Sequence, residues 1–152
     1  MQPGDQAPQF ELPDQNGEMR SLADLLAKGP VALFFYPAAM TPGCTKESCH
    51  FRDLAAEFAE AGVQRVGISP DAVDKQKLFD TTHSLGFPLL SDKSGDVARA
   101  YGVRRSMGPL ATKRTTFAIS PDGTVVNVVR SELRMSVHAD GALTALSAPA
   151  GA

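Results

Sequence analysis

Residues 31–36, Val31-Ala32-Leu33-Phe34-Phe35-Tyr36, form an unbroken apolar run of strand length. A run without polar alternation is the pattern of a strand covered on both faces. Pro37 ends it, because proline lacks the N–H that a central ladder needs. A helix start follows, with Thr41 as N-cap and Pro42 at N1, where its missing N–H costs nothing. Gly43 is then N2 and Cys44 N3. Phe51, Leu54, Ala55 and Phe58 recur at helical spacing and predict one helix that stops near Gly62. At 100° per residue, Cys44 and Glu47 fall on the Phe51 side, about 20° and 40° from it. Cys49 falls about 160° away, with Arg52, Asp53, Ala56 and Glu60 around it.

The flanking pattern fills in the remaining elements. Residues 8–12 read as a short strand, Asp14-Gln15-Asn16-Gly17 as a turn, and 18–20 as a return strand. Ser21 and Asp24 mark a brief helix through Leu22, Leu25 and Leu26, closed at Gly29. Val63 to Ser69 is a strand. Ser69-Pro70-Asp71 repeats the cap-then-proline start and opens a helix to about Leu85, with Val73, Leu78 and Phe79 as packing residues. Phe87 to Leu90 reads as an edge strand, and 94–101 as a short helix closed by Gly102. Residues 103–113 form a loop carrying Arg104, Arg105, Met107, Gly108 and Pro109. Two strands, 115–120 and 124–130, flank the hairpin turn Ser120-Pro121-Asp122-Gly123. A last helix spans about 138–147 with Ala142, Leu143 and Leu146, and 148–152 read as a frayed tail. Parallel crossovers followed by an antiparallel hairpin suit a thioredoxin-like α/β sandwich, and the pattern alone leaves a flavodoxin-like sheet open.

Composition narrows the function class. The 152 residues are 43% hydrophobic, as expected for one domain with one core, here taken as residues 1–152. A net charge of −2 gives no basic footprint for nucleic acid and no polybasic membrane patch. The longest apolar run, residues 31–40, is interrupted by Pro37 and too short to span a bilayer. The N-terminus has neither the basic nor the apolar part of a signal peptide, so a cytoplasmic location is the expectation. Two cysteines in a reducing compartment point to catalysis, sensing or metal binding rather than a structural disulfide framework. A metal site would need Cys44, Cys49, His50 and His83 or His138. His50 directly after Cys49 is poor chelate geometry on a helix, so no metal is expected.

The two cysteines carry the chemistry. At N3, Cys44 lies among backbone N–H groups with no intrahelical acceptor, at the positive end of the helix dipole. That setting favours the thiolate, which is the nucleophilic form. In an ideal helix, residues five apart have Cα atoms about 8.6 Å apart and point about 140° apart. A disulfide needs less than about 7 Å, so Cys44 and Cys49 cannot pair while the helix is intact. If they pair, the first turns unwind.

The segment Phe35-Tyr36-Pro37-x-x-Met40-Thr41-Pro42-Gly43-Cys44-Thr45-x-x-x-Cys49-x-Phe51-Arg52-Asp53 resembles the active-site segment of peroxiredoxins. Its P-x-x-x-T-x-x-C core is Pro37, Thr41 and Cys44. The second cysteine five residues on is similar to the bacterioferritin-comigratory-protein, or Q-type, branch. The stretches Gly4 to Asp14 and Arg114-Thr115-Thr116-Phe117-Ala118-Ile119 resemble the same family. The resemblance decides for a thioredoxin-like fold, a central mixed β-sheet flanked by helices.

It also implies a thiol peroxidase acting on hydrogen peroxide and organic hydroperoxides, with no cofactor. In that scheme Cys44 is the nucleophile and Thr41 a hydroxyl donor. Arg114 holds charge, Pro37 shields the thiolate, and Cys49 resolves the sulfenic acid as a disulfide. Thioredoxin or a similar dithiol then regenerates it. Arg104, Arg105 and Arg130 compete with Arg114 for the arginine role. Glu47 either tunes the site or serves as a first-turn acid favoured by the dipole. Two rivals are a disulfide oxidoreductase, which expects C-x-x-C, and a redox sensor using the same switch without turnover. No exposed apolar stripe demands a partner, so a monomer is expected.

Overall fold

The computed structural model describes residues 1–104, 112–132 and 134–147. Its elements run β1 (Glu11–Pro13), β2 (Met19–Ser21), α1 (Leu22–Leu26), β3 (Val31–Phe35), α2 (Pro42–Asp53), α3 (Ala55–Ala61) and β4 (Gln64–Ser69). They continue with α4 (Val73–His83), β5 (Leu89–Ser91), α5 (Asp96–Ala100), β6 (Thr115–Ile119), β7 (Val125–Arg130) and α6 (Ser136–Ser147). The five-stranded sheet has the order β5-β4-β3-β6-β7, and β1 pairs β2 in a separate hairpin. β3 is parallel to β4 and antiparallel to β6. The expected thioredoxin-like arrangement is therefore present, a mixed sheet with helices on both faces.

β3 is the centre of the sheet, which explains its unbroken apolar run. Val31, Leu33 and Phe35 point into one core with Leu22 and Leu25 of α1 and Ala98 of α5. Ala32, Phe34 and Tyr36 point into the other, with Cys44, Phe51, Phe58, Phe79, Ala139 and Ala142 from α2, α3, α4 and α6. The Phe34 and Phe51 rings stack with centroids 4.1 Å apart and planes 10° apart, fixing α2 to the sheet. At the hairpin, Gly123 adopts φ 88° and its N–H meets the Ser120 carbonyl at 2.9 Å. A side chain would be strained there, so glycine fits.

Several boundaries differ from the sequence reading. The first strand lies at Glu11–Pro13 rather than 8–12. The cysteine helix is two helices, because Leu54 leaves helical geometry at φ −93°, ψ 20° and separates α2 from α3. No proline or glycine marks that break. α4 begins after Ala72 rather than at Pro70. Asp71 is instead committed to side-chain bonds, with Ser69 Oγ donating to its Oδ2 at 2.7 Å. Leu78, expected to pack, is exposed, and Gln76 with Phe79 takes the buried side. β5 is an edge strand, as expected, and β7 is the other. The loop residues 105–111 and the tail 148–152 lie outside the described residues.

Candidate active site

The Cys44 thiol sits where the sequence placed it, at the third position of α2. Thr41 is the N-cap in extended geometry and Pro42 is N1. The first helical bond runs from the Thr45 N–H to the Thr41 carbonyl at 2.8 Å. The Gly43 and Cys44 N–H groups, immediately before it in the same first turn, have no intrahelical acceptor. The Thr41 hydroxyl does not cap the helix. It donates to the Ala38 carbonyl at 2.7 Å. Its hydrogen is therefore committed, and its lone pairs are what it offers to a bound molecule.

The approach loop is held from outside. The Ala39 N–H donates to Asp71 Oδ2 at 2.6 Å, linking the turn after β3 to the loop after β4. Behind it, the Tyr36 hydroxyl donates to Gln76 Oε1 at 2.5 Å, and Gln76 Nε2 donates to Ser69 Oγ and to the Leu90 carbonyl at 2.9 Å each. Met40 sits in the left-handed region at φ 67°, an unfavourable conformation for a bulky residue. That turn brings Thr41 and Pro42 into line for α2. Pro37 is buried at the base of the loop.

Arg114 opens β6 next to the thiol. Its Nη2 donates to Cys44 Sγ at 3.1 Å and its Nη1 to Glu47 Oε1 at 2.7 Å. The arginine is 6% exposed and Cys44 and Glu47 are 0% exposed. Its fork therefore spans two acceptors one helical turn apart, away from water. Gly43 permits this approach, since a Cβ there would stand 3.3 Å from Arg114 Nη2. Burial alone would pull the guanidinium down, but the charges of Glu47 and Cys44 outweigh it and raise it. Arg130 is elsewhere, donating to the Met1 carbonyl at 2.7 Å, and Arg104 packs over Gly95. Arg105 lies outside the described residues.

Two further side chains complete this site: Glu47, whose role the sequence left open between tuning and a first-turn acid, and His138, which the sequence raised only as a possible metal ligand. Burial pushes the Glu47 carboxyl up to about 8, against the pull of Arg114. Its second oxygen, Oε2, is buried without a hydrogen bond and lies 3.5 Å from His138 Nδ1. His138, fully buried on α6, also meets Thr116 Oγ1 at 2.8 Å through Nδ1 and the Ser131 carbonyl at 2.8 Å through Nε2. Helical spacing placed Glu47 inward, but no local signal links it to His138. Cys49, on the side of α2 away from Phe51, is half-buried and packs against the edge of the core that contains Phe51. Both thiols are free. Among the described residues, no group of three His, Cys, Asp or Glu side chains is arranged to hold a metal ion.

Known proteins resemble this chain over most of its length. Residues 3–128 match the AhpC/TSA family. A Mycobacterium tuberculosis protein provisionally named a peroxiredoxin is 57% identical over 150 residues, 97% of each chain. The crystal structure of peroxidoxin BcpB from the same organism superposes with a TM-score of 0.93 at 55% identity, covering 97% of both chains. Peroxiredoxin Q of Xanthomonas campestris gives 0.83 at 34% identity, over 91% of this chain and 90% of that one. A buried helix-start thiol with an arginine on its sulfur, in a chain so closely related to these over nearly its whole length, places the protein in the AhpC/TSA family, among the thiol-dependent peroxidases of the bacterioferritin-comigratory, or Q-type, peroxiredoxin branch.

Proposed function

We propose that Cys44 is the peroxidatic cysteine and Cys49 its resolving partner, and that the substrates are hydrogen peroxide and organic hydroperoxides. The contact between Arg114 Nη2 and Cys44 Sγ at 3.1 Å, in a buried site at a helix start, carries this reading. A guanidinium and the α2 dipole both favour the thiolate. The Gly43 and Cys44 N–H groups and the buried, unpaired Arg114 Nε supply donors for the peroxide oxygens. Thr41 Oγ1, its hydrogen on Ala38, accepts the hydroperoxide O–H rather than donating to it. Pro37 closes the base of the pocket against water.

In the first step the thiolate attacks the nearer oxygen. An S–O bond forms and the O–O bond breaks, giving Cys44 sulfenic acid and, after protonation, water or alcohol. The first turns of α2 then unwind, the Cys49 thiolate attacks the Cys44 sulfur, and water leaves as the disulfide forms. A dithiol, thioredoxin or one like it, reduces the disulfide by thiol exchange. A Xanthomonas campestris bacterioferritin comigratory protein, 33% identical, is described for its alkyl peroxide reduction activity, which supports organic hydroperoxides as substrates. The protein works as a cytoplasmic monomer in this scheme. The test is intact mass after one equivalent of hydrogen peroxide. Wild type is expected to lose about two mass units and Cys49→Ser to gain about sixteen. Retention of both free thiols in wild type, with no oxygen adduct in C49S, would overturn the assignment.

A further inference from the structure

One cation, Arg114, faces two groups that can each be anionic, Cys44 at 3.1 Å and Glu47 at 2.7 Å. All three are within 6% of full burial, so a net charge here is costly. If Glu47 is ionised alone, the thiolate and the carboxylate share one positive charge and the buried cluster is left negative. The arrangement around Glu47 Oε2 relieves this. That oxygen is buried and without a hydrogen bond, and His138 Nδ1 stands 3.5 Å from it. The other ring nitrogen faces the Ser131 carbonyl at 2.8 Å, which can only accept, so Nε2 carries a hydrogen in every state. Nδ1 is therefore the atom whose proton is open, and the Thr116 hydroxyl beside it at 2.8 Å can donate to it or accept from it.

We propose that Glu47 and His138 hold a single proton between Oε2 and Nδ1, so that the pair is neutral as a unit, and that His138 is thereby a positioning residue that leaves the Arg114 charge to the Cys44 thiolate. The charge balance is the same whichever atom the proton rests on: a neutral acid with a neutral imidazole, or a carboxylate with an imidazolium. The surrounding groups agree. Facing Glu47 are Arg114 just before β6, His138 from α6, and Glu132 from the connection between β7 and α6, with Cys44 of its own helix on the other arm of Arg114. Facing His138 are Arg114, Glu132 and Glu47. Burial raises the carboxyl and lowers the imidazole, with Arg114 adding to the latter, and both shifts work against charge separation in the pair.

The service to the reaction follows from electrostatics. With the pair neutral, Arg114 faces the thiolate and the developing charge on the leaving oxygen alone. When the proton is lost, Glu47 competes for the guanidinium and peroxide attack slows. This service rests on Cys44 being the peroxidatic cysteine. The proton itself does not, so the test has two readouts.

The first is NMR of the reduced protein labelled at the glutamate carboxyl carbon and the histidine nitrogens. In wild type, Glu47 and His138 are expected to report one shared ionisation above neutral pH. In His138→Gln the Glu47 midpoint is expected to fall by roughly one pH unit or more, about the effect of losing one hydrogen-bonding partner on an ionisation. In His138→Asn, which keeps a polar atom near the Nδ1 position, the midpoint is expected to stay closer to wild type. The second readout is the rate of Cys44 oxidation by hydrogen peroxide from pH 6 to 9.5, from quenched-flow alkylation and intact mass. Wild type is expected to show a descending limb above pH 8, H138Q the same limb at lower pH, and Glu47→Gln no limb. A Glu47 that titrates in the ordinary carboxylate range in wild type overturns the shared proton. A descending limb that is the same in wild type, H138Q and E47Q overturns the positioning role, because a merely structural histidine would lower the rate without changing its pH shape. A Cys44 that is never oxidised in wild type would instead defeat the peroxidase assignment and with it the positioning role, while the NMR midpoints still decide the proton.

Discussion

Replacing Arg114 by lysine separates the charge of this residue from its shape. The guanidinium reaches Glu47 Oε1 with Nη1 and Cys44 Sγ with Nη2 at the same time, at 2.7 and 3.1 Å. A lysine ammonium is one compact nitrogen at the end of a flexible stem, and it cannot present two donors in a fixed fork. A single nitrogen that must also satisfy buried Glu47 Oε1 leaves the sulfur without a fixed donor of its own. A hydrogen bond to a charged group is worth about 1.5–3 kcal/mol, so the rate of Cys44 oxidation should fall about 10- to 150-fold. The positive charge remains beside buried Glu47, so the fold should survive, which thermal melting checks. The rate constant is read by competition with a haem peroxidase for limiting hydrogen peroxide. A folded Arg114→Lys variant within threefold of wild type would refute the reasoning, since positive charge alone would then suffice.

Three further outcomes are expected. Tyr36→Phe removes the donor to Gln76 Oε1 and leaves that oxygen buried, so denaturant midpoints should report a loss of about 1–3 kcal/mol; no loss would show that Gln76 has another partner. Because Glu47 stands at about 8 in the folded protein against an ordinary value of 4.5, the folded state holds a proton that the unfolded chain has released between those values. Its contribution to stability is therefore complete below pH 4.5 and is lost as pH rises towards 8, at up to about 1.4 kcal/mol per pH unit; E47Q should flatten this slope in denaturation series, and an unchanged slope would refute it. His50 Nε2 meets Asp140 Oδ1 at 2.8 Å and clasps α2 to α6 beside Cys49. Both groups are partly solvated, so the clasp is worth only about 0.5–1 kcal/mol, and His50→Ala should speed disulfide formation about two- to fivefold in a sulfenic-acid trapping assay; an equal rate would show that the clasp does not restrain the helix.

What could be read from the sequence was local. The apolar run of β3, the proline at N1 of α2, the third-position cysteine and the glycine of the β6–β7 hairpin each depend on a few adjacent residues, and each stands where it was expected. Arg114 was placed at the site only through family resemblance, and the structure puts it on the sulfur. The parts that escaped depend on contacts between distant segments. Asp71 looked like part of a second cap-and-proline helix start, but it holds the Ala39 N–H across from β4, and α4 starts later as a result. Thr41 has the right identity for a cap, yet the Ala38 carbonyl takes its hydroxyl. Glu47 meets His138 only because α6 returns over α2.

The break at Leu54 gives the proposed cycle a boundary. Cys44 and Cys49 both lie in α2, and an intact helix holds them too far apart to join. Phe51 follows Cys49 and is pinned against Phe34, fully buried, at the far end of that helix. Unwinding can therefore begin at Pro42 and run through Cys49 while the aromatic anchor stays in place, and α3, already a separate helix, need not move. The start of α2 is correspondingly light. Its cap side chain bonds to none of the helix N–H groups, and Met40 before it sits in an unfavourable conformation. The contacts that hold this turn closed converge on Arg114, through the Cys44 sulfur and Glu47. Oxidation replaces the thiolate with a neutral sulfenic acid, and the strongest of those contacts to Cys44 weakens at the step where the helix has to open. In the proposed cycle, the guanidinium that favours attack by the sulfur would thus also keep the turn folded until the peroxide has reacted.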